Sequence, residues 1–130
     1  MFESSKAFGG VSVDDVEAAR GFYGGALGFD VDDVMGGLSV ALPGGSFLWV
    51  YPKPDHAPAT FTVLNFPVPD VEAAVDELNA RGVETRIYDR EDLPTDEKGI
   101  MRGQAAGRGP DIAWFRDPAG NVLAVLGENG

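Results

Sequence analysis

Apolar residues recur along the chain with two different periods, and their order predicts the elements. Residues 7–13 have the composition of a β-strand, and the apolar positions after them recur every three or four residues, as in an amphipathic helix. These helical positions are Val16, Ala19, Phe22, Tyr23, Ala26 and Leu27. Asp14 with Glu17 three residues later has the form of a capping box, and Gly28 is suited to end the helix. The first segment is therefore predicted to be a strand followed by a helix.

The same pattern returns in the second half of the chain. Residues 13–19 read Val-Asp-Asp-Val-Glu-Ala-Ala, and residues 68–74 match them at six of seven positions. A β-rich run over residues 60–68 precedes this second copy, and Gly82 closes the helix that follows. The apolar face of that helix carries Val71, Ala74, Val75 and Leu78. A repeat of this kind predicts a duplicated structural unit.

Three further strands are predicted after each helix, with tight turns at Pro43–Gly45 and Pro118–Gly120. Their ranges are 30–34, 38–42 and 46–51 in the first half, and 84–88, 111–116 and 121–126 in the second. Both halves thus have the order strand, helix, three strands.

The predicted organisation is a single α+β domain, residues 1–130, made of two βαβββ modules at about 7–52 and 60–127. Between the modules, residues 52–58 contain three prolines, which disfavour a helix or a central strand, so this segment is interpreted as a linker. Residues 89–110 form a long insertion rich in glycine and charge, and loops of this length are usually functional or mobile.

Composition narrows the classes of partner. The net charge of −11 disfavours binding to nucleic acid and to anionic lipid. The absence of cysteine excludes disulfides, thiolate metal sites and a cysteine nucleophile. No apolar run approaches the roughly 18 residues of a membrane span, and the first residues lack the apolar core of a signal peptide. We therefore expect a cytoplasmic protein with no nucleic-acid or membrane partner.

Several motifs, in order and spacing, resemble those of the vicinal oxygen chelate superfamily. They are the 13–19 segment, Phe22-Tyr23, Leu27-Gly28-Phe29, and the closing segment Trp114 to Asn121. The superfamily includes glyoxalase I, bleomycin-resistance proteins, fosfomycin-inactivating enzymes and extradiol dioxygenases. The resemblance implies that the two modules form a curved mixed sheet around one cavity. It also implies that two chains pair as a symmetric homodimer.

The resemblance further implies where a metal would bind. The metal enzymes of the superfamily place ligands at four equivalent strand positions, which are occupied in this chain by Phe8, Trp49, Val63 and Ala124. None of these side chains offers the imidazole nitrogen or carboxylate oxygen that a divalent ion requires. We therefore expect neither the shared metal nor another cofactor.

If those four positions face the cavity, the alternation of a strand places other residues there too. The candidate ligand-binding residues are Phe8, Ser12, Trp49, Tyr51, Phe61, Val63, Asn65, Trp114 and Ala124, joined by Arg102 from the insertion. An aromatic lining with few polar groups is typical of a small-molecule pocket, although aromatic residues that simply fill a core have the same pattern. Arg102 is interpreted as a cation for an anionic ligand, or else as a residue of a solvated loop. His56, the only histidine, is expected to be an exposed loop residue, with a general base as the alternative.

Three functions remain open from the sequence. The leading hypothesis is a metal-free binding protein of the bleomycin-resistance kind that holds a small aromatic molecule. The second is a lyase, isomerase, epimerase or dioxygenase-like enzyme with a relocated metal or none, using Tyr51, His56 or Asn65. The third is a non-catalytic module with a filled cavity. The sequence assigns no catalytic residue and does not name the ligand.

Overall fold

The structure, a computed structural model, describes residues 1–88 and 93–128. The chain divides into two compact units, Met1–Pro58 and Ala59–Gly130. The boundary between them falls at the end of the proline-rich segment that the sequence marks as a linker. Four residues of the predicted insertion, 89–92, lie outside the described part.

The first unit is a four-stranded mixed sheet with one helix. Its elements are β1 (Gly9–Val13), α1 (Val16–Arg20), a π-helical segment (Gly21–Ala26), β2 (Val31–Val34), β3 (Gly37–Ala41) and β4 (Phe47–Pro52). The strand order is β1-β4-β3-β2. β1 runs parallel to β4, and the remaining pairs are antiparallel. The predicted βαβββ order is therefore present.

The N-cap of the first helix lies one residue later than the sequence predicts. Asp15, not Asp14, is the N-cap residue, because its backbone is extended and its side chain accepts a hydrogen bond from the Ala18 amide at 3.1 Å. After Arg20 the turns widen, and the Leu27 amide donates to the Phe22 carbonyl five residues back at 2.9 Å. Gly28, with φ of 77°, adopts the left-handed conformation that ends a helix.

The second unit repeats this order. Its elements are β5 (Thr62–Val68), α2 (Val71–Ala80), β6 (Ile100–Met101), β7 (Ile112–Arg116) and β8 (Val122–Gly127), in the strand order β5-β8-β7-β6. Asp70 caps α2 through the Ala73 amide at 3.1 Å, as Asp15 caps α1. The sequence repeat therefore corresponds to a structural repeat, and the α+β class is confirmed.

The strand predicted at residues 84–88 is wrong. That segment has no regular structure, and the equivalent edge position in the sheet is taken by the short strand Ile100–Met101 from within the predicted insertion. The alternation of polar and apolar residues has another cause here. Thr85 is buried and donates to the Lys98 carbonyl at 2.8 Å. Ile87 and Tyr88 pack against a buried cluster formed by Trp114, Val122 and Ala124.

Alternate strand residues form the core of the first unit, whereas consecutive residues of β7 and β8 are buried in the second. In the first unit α1 contacts β3 and β4, and in the second α2 contacts β7 and β8. The buried hydrophobic side chains on the strands of the first unit are those of Val11, Val13, Leu38, Val40, Leu48 and Val50. Because side chains alternate along a strand, the residues between them lie on the opposite face of the sheet.

The closing hairpin is fixed by a buried carboxylate. Asp117 accepts hydrogen bonds from the amides of Ala119 at 3.0 Å and Asn121 at 2.9 Å, and from the Asn121 side chain at 3.1 Å. Gly120 has a positive φ of 86°, which the turn requires. The turn predicted at Pro118–Gly120 is confirmed.

No helix within residues 1–88 and 93–128 has the length and apolar character needed to cross a membrane.

Candidate functional site

The first unit has a face that its helix does not cover. Along β4 the residues alternate, so that Leu48 and Val50 are buried while Phe47, Trp49 and Tyr51 are half-buried on the other face. In the parallel ladder Gly10 lies beside Trp49, and Ser12 lies beside Tyr51. Neighbouring partners in a ladder share a face, so the Ser12 side chain lies on the same face as these aromatic rings. We call Phe8, Ser12, Phe47, Trp49 and Tyr51 the aromatic face.

Its rings are arranged in two stacked pairs. The ring centroids of Phe8 and Phe47 are 4.3 Å apart with planes at 23°. Those of Trp49 and Tyr51 are 6.3 Å apart with planes at 19°. Phe8 is 55% exposed in spite of its size. The nearly parallel rings within each pair can present flat surfaces to a planar molecule.

Gly37 on β3 sets the position of the indole on this face. A Cβ at Gly37 would lie 2.5 Å from the Val50 carbonyl oxygen and 2.8 Å from Cη2 of Trp49. The ring therefore lies directly over the glycine, in space that any other side chain would occupy. Gly10, on the other side of Trp49, is less crowded, since a Cβ there would have its nearest neighbour at 3.5 Å.

Replacing Gly37 with alanine is expected to displace the indole and lower the free energy of unfolding by roughly 1–3 kcal/mol, the usual effect of overpacking. The Gly10→Ala variant is the matched control and should change stability by less than about 0.5 kcal/mol. Urea unfolding gives both values, and the indole N–H signal of Trp49 in NMR spectra reports its environment. If the two variants had equal effects on stability and on this signal, Gly37 would not set the position of the Trp49 indole.

His56 joins this face, which the sequence did not predict. It is half-buried, and its Nδ1 lies 2.6 Å from Ser12 Oγ. The expectation of an exposed loop histidine is wrong because the proline-rich segment turns back onto β1. The Lys53 amide donates to the Val13 carbonyl, and the His56 amide donates to the Lys53 carbonyl, both at 3.0 Å. No sequence motif marks this contact, which joins residues 44 positions apart.

In the second unit the corresponding sheet face is covered by the chain itself. Trp114 and Ala124, paired on β7 and β8, are 8% and 0% exposed. The Trp114 Nε1 donates to Thr62 Oγ1 at 3.2 Å, and Tyr88 meets its ring edge to face at 5.3 Å. The partly buried residues packed on this cluster are Ile87, Tyr88, Leu93, Met101 and Ile112. Trp114 therefore has a core environment within its own unit, unlike Trp49.

The other predicted residues of the second unit lie along β5. Phe61, just before the strand, is 68% exposed, and Asn65 is also exposed. The ladder shifts between Thr62 and Leu64, so Val63 is the extra residue of a bulge. Asn65 pairs with Ala124, in the position that Gly10 and Trp49 occupy in the first unit. That these residues bind a ligand stays a prediction.

Arg102, the predicted cation for a ligand, lies among carboxylates of its own unit. Its guanidinium contacts Glu72 at 2.6 Å, Asp96 at 2.9 Å and Asp111 at 3.7 Å. Lys98 beside it contacts Asp76 at 2.9 Å and Glu72 at 3.3 Å. These contacts tie the residues before and after β6 to helix α2. The geometry favours a structural role for Arg102 over the binding of an anionic ligand.

The ion pairs that Arg102 and Lys98 make with Glu72 and Asp96 form a charged cluster. We expect acid to break this cluster below about pH 4, where its carboxylates become protonated. Hydrogen bonds from Arg102 and Lys98 lower the pKa of Glu72. Burial alone would raise the pKa of Asp96, but hydrogen bonds from the Ile100 and Lys98 amides and from Arg102 bring it below its ordinary value. Because both pKa values are depressed in the folded state, this stabilisation is present above the unfolded-state pKa. It is lost as the pH falls through the folded-state pKa.

Urea unfolding at several pH values should therefore show a steeper loss of stability in acid for the unmodified chain than for Arg102→Gln. Identical pH profiles for the two proteins would show that the cluster does not contribute.

A largely apolar cavity of about 300 Å³ borders the same segment. Ile100, Met101 and Pro94 contribute apolar surface, with Arg102 and Arg108 at its margin. It lies beside β6 in the second unit and contains none of the aromatic residues predicted to bind a ligand.

The sequence matches the profile of one protein superfamily over most of its length. The sequence profile described as "Glyoxalase/Bleomycin resistance protein/Dioxygenase superfamily" matches residues 8–125. The chain belongs to this superfamily. The resemblance inferred from the motifs is thus confirmed, and the glyoxalase-like repeat described above is the fold of the superfamily.

Several solved structures share the fold of this chain. A glyoxalase/bleomycin resistance protein from Streptomyces sp. CB03234 is 28% identical, with a TM-score of 0.61 over 94% of this chain and 99% of the other. TnmS3, an antibiotic binding protein from the same organism, is 27% identical, with a TM-score of 0.67 over 98% of both chains. A superfamily member from Sphaerobacter thermophilus DSM 20745 is 23% identical, with a TM-score of 0.69 over 98% of this chain and 100% of the other. No curated protein sequence matches the chain.

The residues that the resemblance places at the superfamily's four metal-ligand positions do not fit a metal. Phe8, Trp49, Val63 and Ala124 carry only hydrocarbon or indole side chains. Within residues 1–88 and 93–128, no three histidine, cysteine, aspartate or glutamate side chains are grouped so that they could hold an ion. These four positions therefore offer no donor set for a divalent ion.

Proposed function

We propose that the protein binds a small, flat aromatic molecule on the aromatic face of its first unit and sequesters it without a metal ion. One observation carries the proposal: two parallel ring pairs lie accessible on a sheet face whose opposite side is fully packed. A hydrophobic core would bury such rings, whereas Phe8 is 55% exposed and Trp49 and Tyr51 are half-buried. Apolar walls with a few polar groups are the usual composition of a small-molecule site.

The difference between the two units supports this location. The equivalent face of the second unit holds its tryptophan at 8% exposure, with Tyr88 edge to face against the ring and Leu93 packed on the same buried residues. The first unit has no segment of that length between α1 and β3. Its aromatic face therefore has the same kind of surface without the same internal cover.

A similar protein supports the binding of a small molecule. TnmS3, described as an antibiotic binding protein, shares 27% identity with this chain over 98% of both lengths. Binding without catalysis is also consistent with the four metal-ligand positions, which in this chain offer no ligand to an ion.

Calorimetric titration with α-naphthol tests the proposal. The matched control is α-decalol, which keeps the hydroxyl group and the fused ten-carbon skeleton but is neither aromatic nor planar. We expect α-naphthol to bind at least about fivefold more tightly, because stacking on two aromatic rings contributes roughly 0.5–1.5 kcal/mol per pair beyond area burial. Excess chelator should leave the affinity unchanged. Equal binding of the two probes, or no binding of α-naphthol, would overturn the proposal.

A further inference from the structure

Ser12 and His56 form a polar pair at one end of the aromatic face. Their side chains are joined at 2.6 Å between Ser12 Oγ and His56 Nδ1. Ser12 is the ladder partner of Tyr51, two residues along the strand from the Gly10–Trp49 pair. The pair therefore lies beside the stacked Trp49 and Tyr51 rings, on the same face of the sheet.

The position of the histidine is fixed by its backbone. The Lys53 amide bonds to the Val13 carbonyl at the end of β1, and the His56 amide bonds to the Lys53 carbonyl one turn later. An ion pair of 2.7 Å between Lys53 and Asp55 spans the same turn. The imidazole is thus held over Ser12 by the chain that carries it.

We propose that this pair recognises a hydroxyl group on the aromatic ligand, so that the ligand class is a phenol. The inference rests on the proposed function and assigns the polar contact of that same site. A serine oxygen that donates its own proton to a neighbour is still, by type, a hydrogen-bond acceptor. When Ser12 donates to Nδ1, its oxygen becomes a better acceptor, because hydrogen bonds in a chain polarise one another. A phenol O–H then donates to Ser12, which donates to His56.

The surroundings make this contact selective. Ser12 and His56 are both half-buried, so water competes less well for their hydrogen-bonding groups than at an exposed site. The neighbouring surface is aromatic, and a ligand that stacks there brings only its edge to the polar pair. Ser12 is the contacting residue in this arrangement, and His56 is a positioning residue that orients the serine hydroxyl.

The test compares three planar probes of the same ring system by calorimetric titration: naphthalene, α-naphthol and α-methoxynaphthalene. Naphthalene measures stacking alone, and the methyl ether keeps the oxygen but cannot donate. Ser12→Ala should weaken α-naphthol binding by roughly threefold to tenfold, the effect of one net hydrogen bond. It should leave the affinities for naphthalene and the methyl ether unchanged, which also shows that the face is intact.

Substitutions of His56 separate positioning from packing. His56→Asn offers an amide oxygen near the place of Nδ1 and should retain much of the preference for α-naphthol over naphthalene. His56→Leu removes the acceptor and should reduce that preference as Ser12→Ala does. Rescue by asparagine but not by leucine is not expected of a residue that only fills space.

The outcomes distinguish this inference from the proposed function. Failure of all three probes to bind the unmodified protein would overturn both. Binding of all three with no selective effect of Ser12→Ala would overturn the phenol assignment and leave the aromatic face as the binding site. A selective loss of the methyl ether together with α-naphthol would show that Ser12 donates to the ligand, and would also overturn the assignment.

Discussion

Replacing Gly99 with alanine is expected to lower the free energy of unfolding by roughly 3–5 kcal/mol. Gly99 has a φ of +82°, and a Cβ there would lie 2.0 Å from the Thr85 carbonyl oxygen. The obstacle is backbone, which cannot rotate away as a side chain can. Thr85 is itself buried and held by the Lys98 carbonyl, so the segment that covers Trp114 would have to shift.

Gly82→Ala is the matched control for this substitution. Gly82 has nearly the same φ, +83°, but no atom lies within 4 Å of the Cβ position. Only the backbone strain applies there, and a loss of about 1 kcal/mol is expected. Urea unfolding of both variants measures the difference. Equal losses would show that the close approach of Gly99 to Thr85 does not exist in solution.

Alanine substitutions of the two tryptophans are expected to lower stability by different amounts. Trp114→Ala should lower stability by roughly 3–5 kcal/mol, because the indole is 8% exposed and its loss leaves a cavity beneath Tyr88. Trp49→Ala should lower stability much less, since its ring is half-buried on an uncovered face. The same Trp49 variant should weaken α-naphthol binding by roughly 1–3 kcal/mol, the effect of losing a large aromatic anchor.

Stability and affinity must be measured on both variants, by urea unfolding and by calorimetry. Trp49→Phe is a useful intermediate, because it keeps an aromatic surface while removing part of the ring. A large stability loss in Trp49→Ala with unchanged α-naphthol affinity would identify Trp49 as a core residue and defeat the binding proposal.

The repeat made most of the fold predictable. Residues 13–19 and 68–74 carry the same signals, and the structure places Asp15 and Asp70 as N-caps with nearly identical backbone angles. Periodicity also identified the buried and uncovered faces of β4, because alternation in a strand determines the face of each residue. Local patterns of this kind need no knowledge of distant contacts.

The errors arose where distant contacts outweighed local pattern. Residues 84–88 alternate like a strand, but Thr85 bonds to the Lys98 carbonyl instead of to a sheet neighbour. The contact between Ser12 and His56 depends on a turn whose hydrogen bonds join residues 53 and 13, which composition does not reveal. The ion pairs of Arg102 with Glu72, Asp96 and Asp111 were likewise not visible in the sequence, and its contact with a ligand stays a prediction.

The response of the two indole N–H signals to α-naphthol tests directly whether the ligand binds on the aromatic face. The chain has two tryptophans, so a ¹⁵N–¹H correlation spectrum contains two such signals, and Trp49→Phe assigns them. We expect the Trp49 signal to shift progressively and saturably as α-naphthol is added, while the Trp114 signal, covered within its own unit, stays in place. A shift of the Trp114 signal alone, or no shift of either signal at saturating probe, would contradict the assignment of the binding site to the aromatic face.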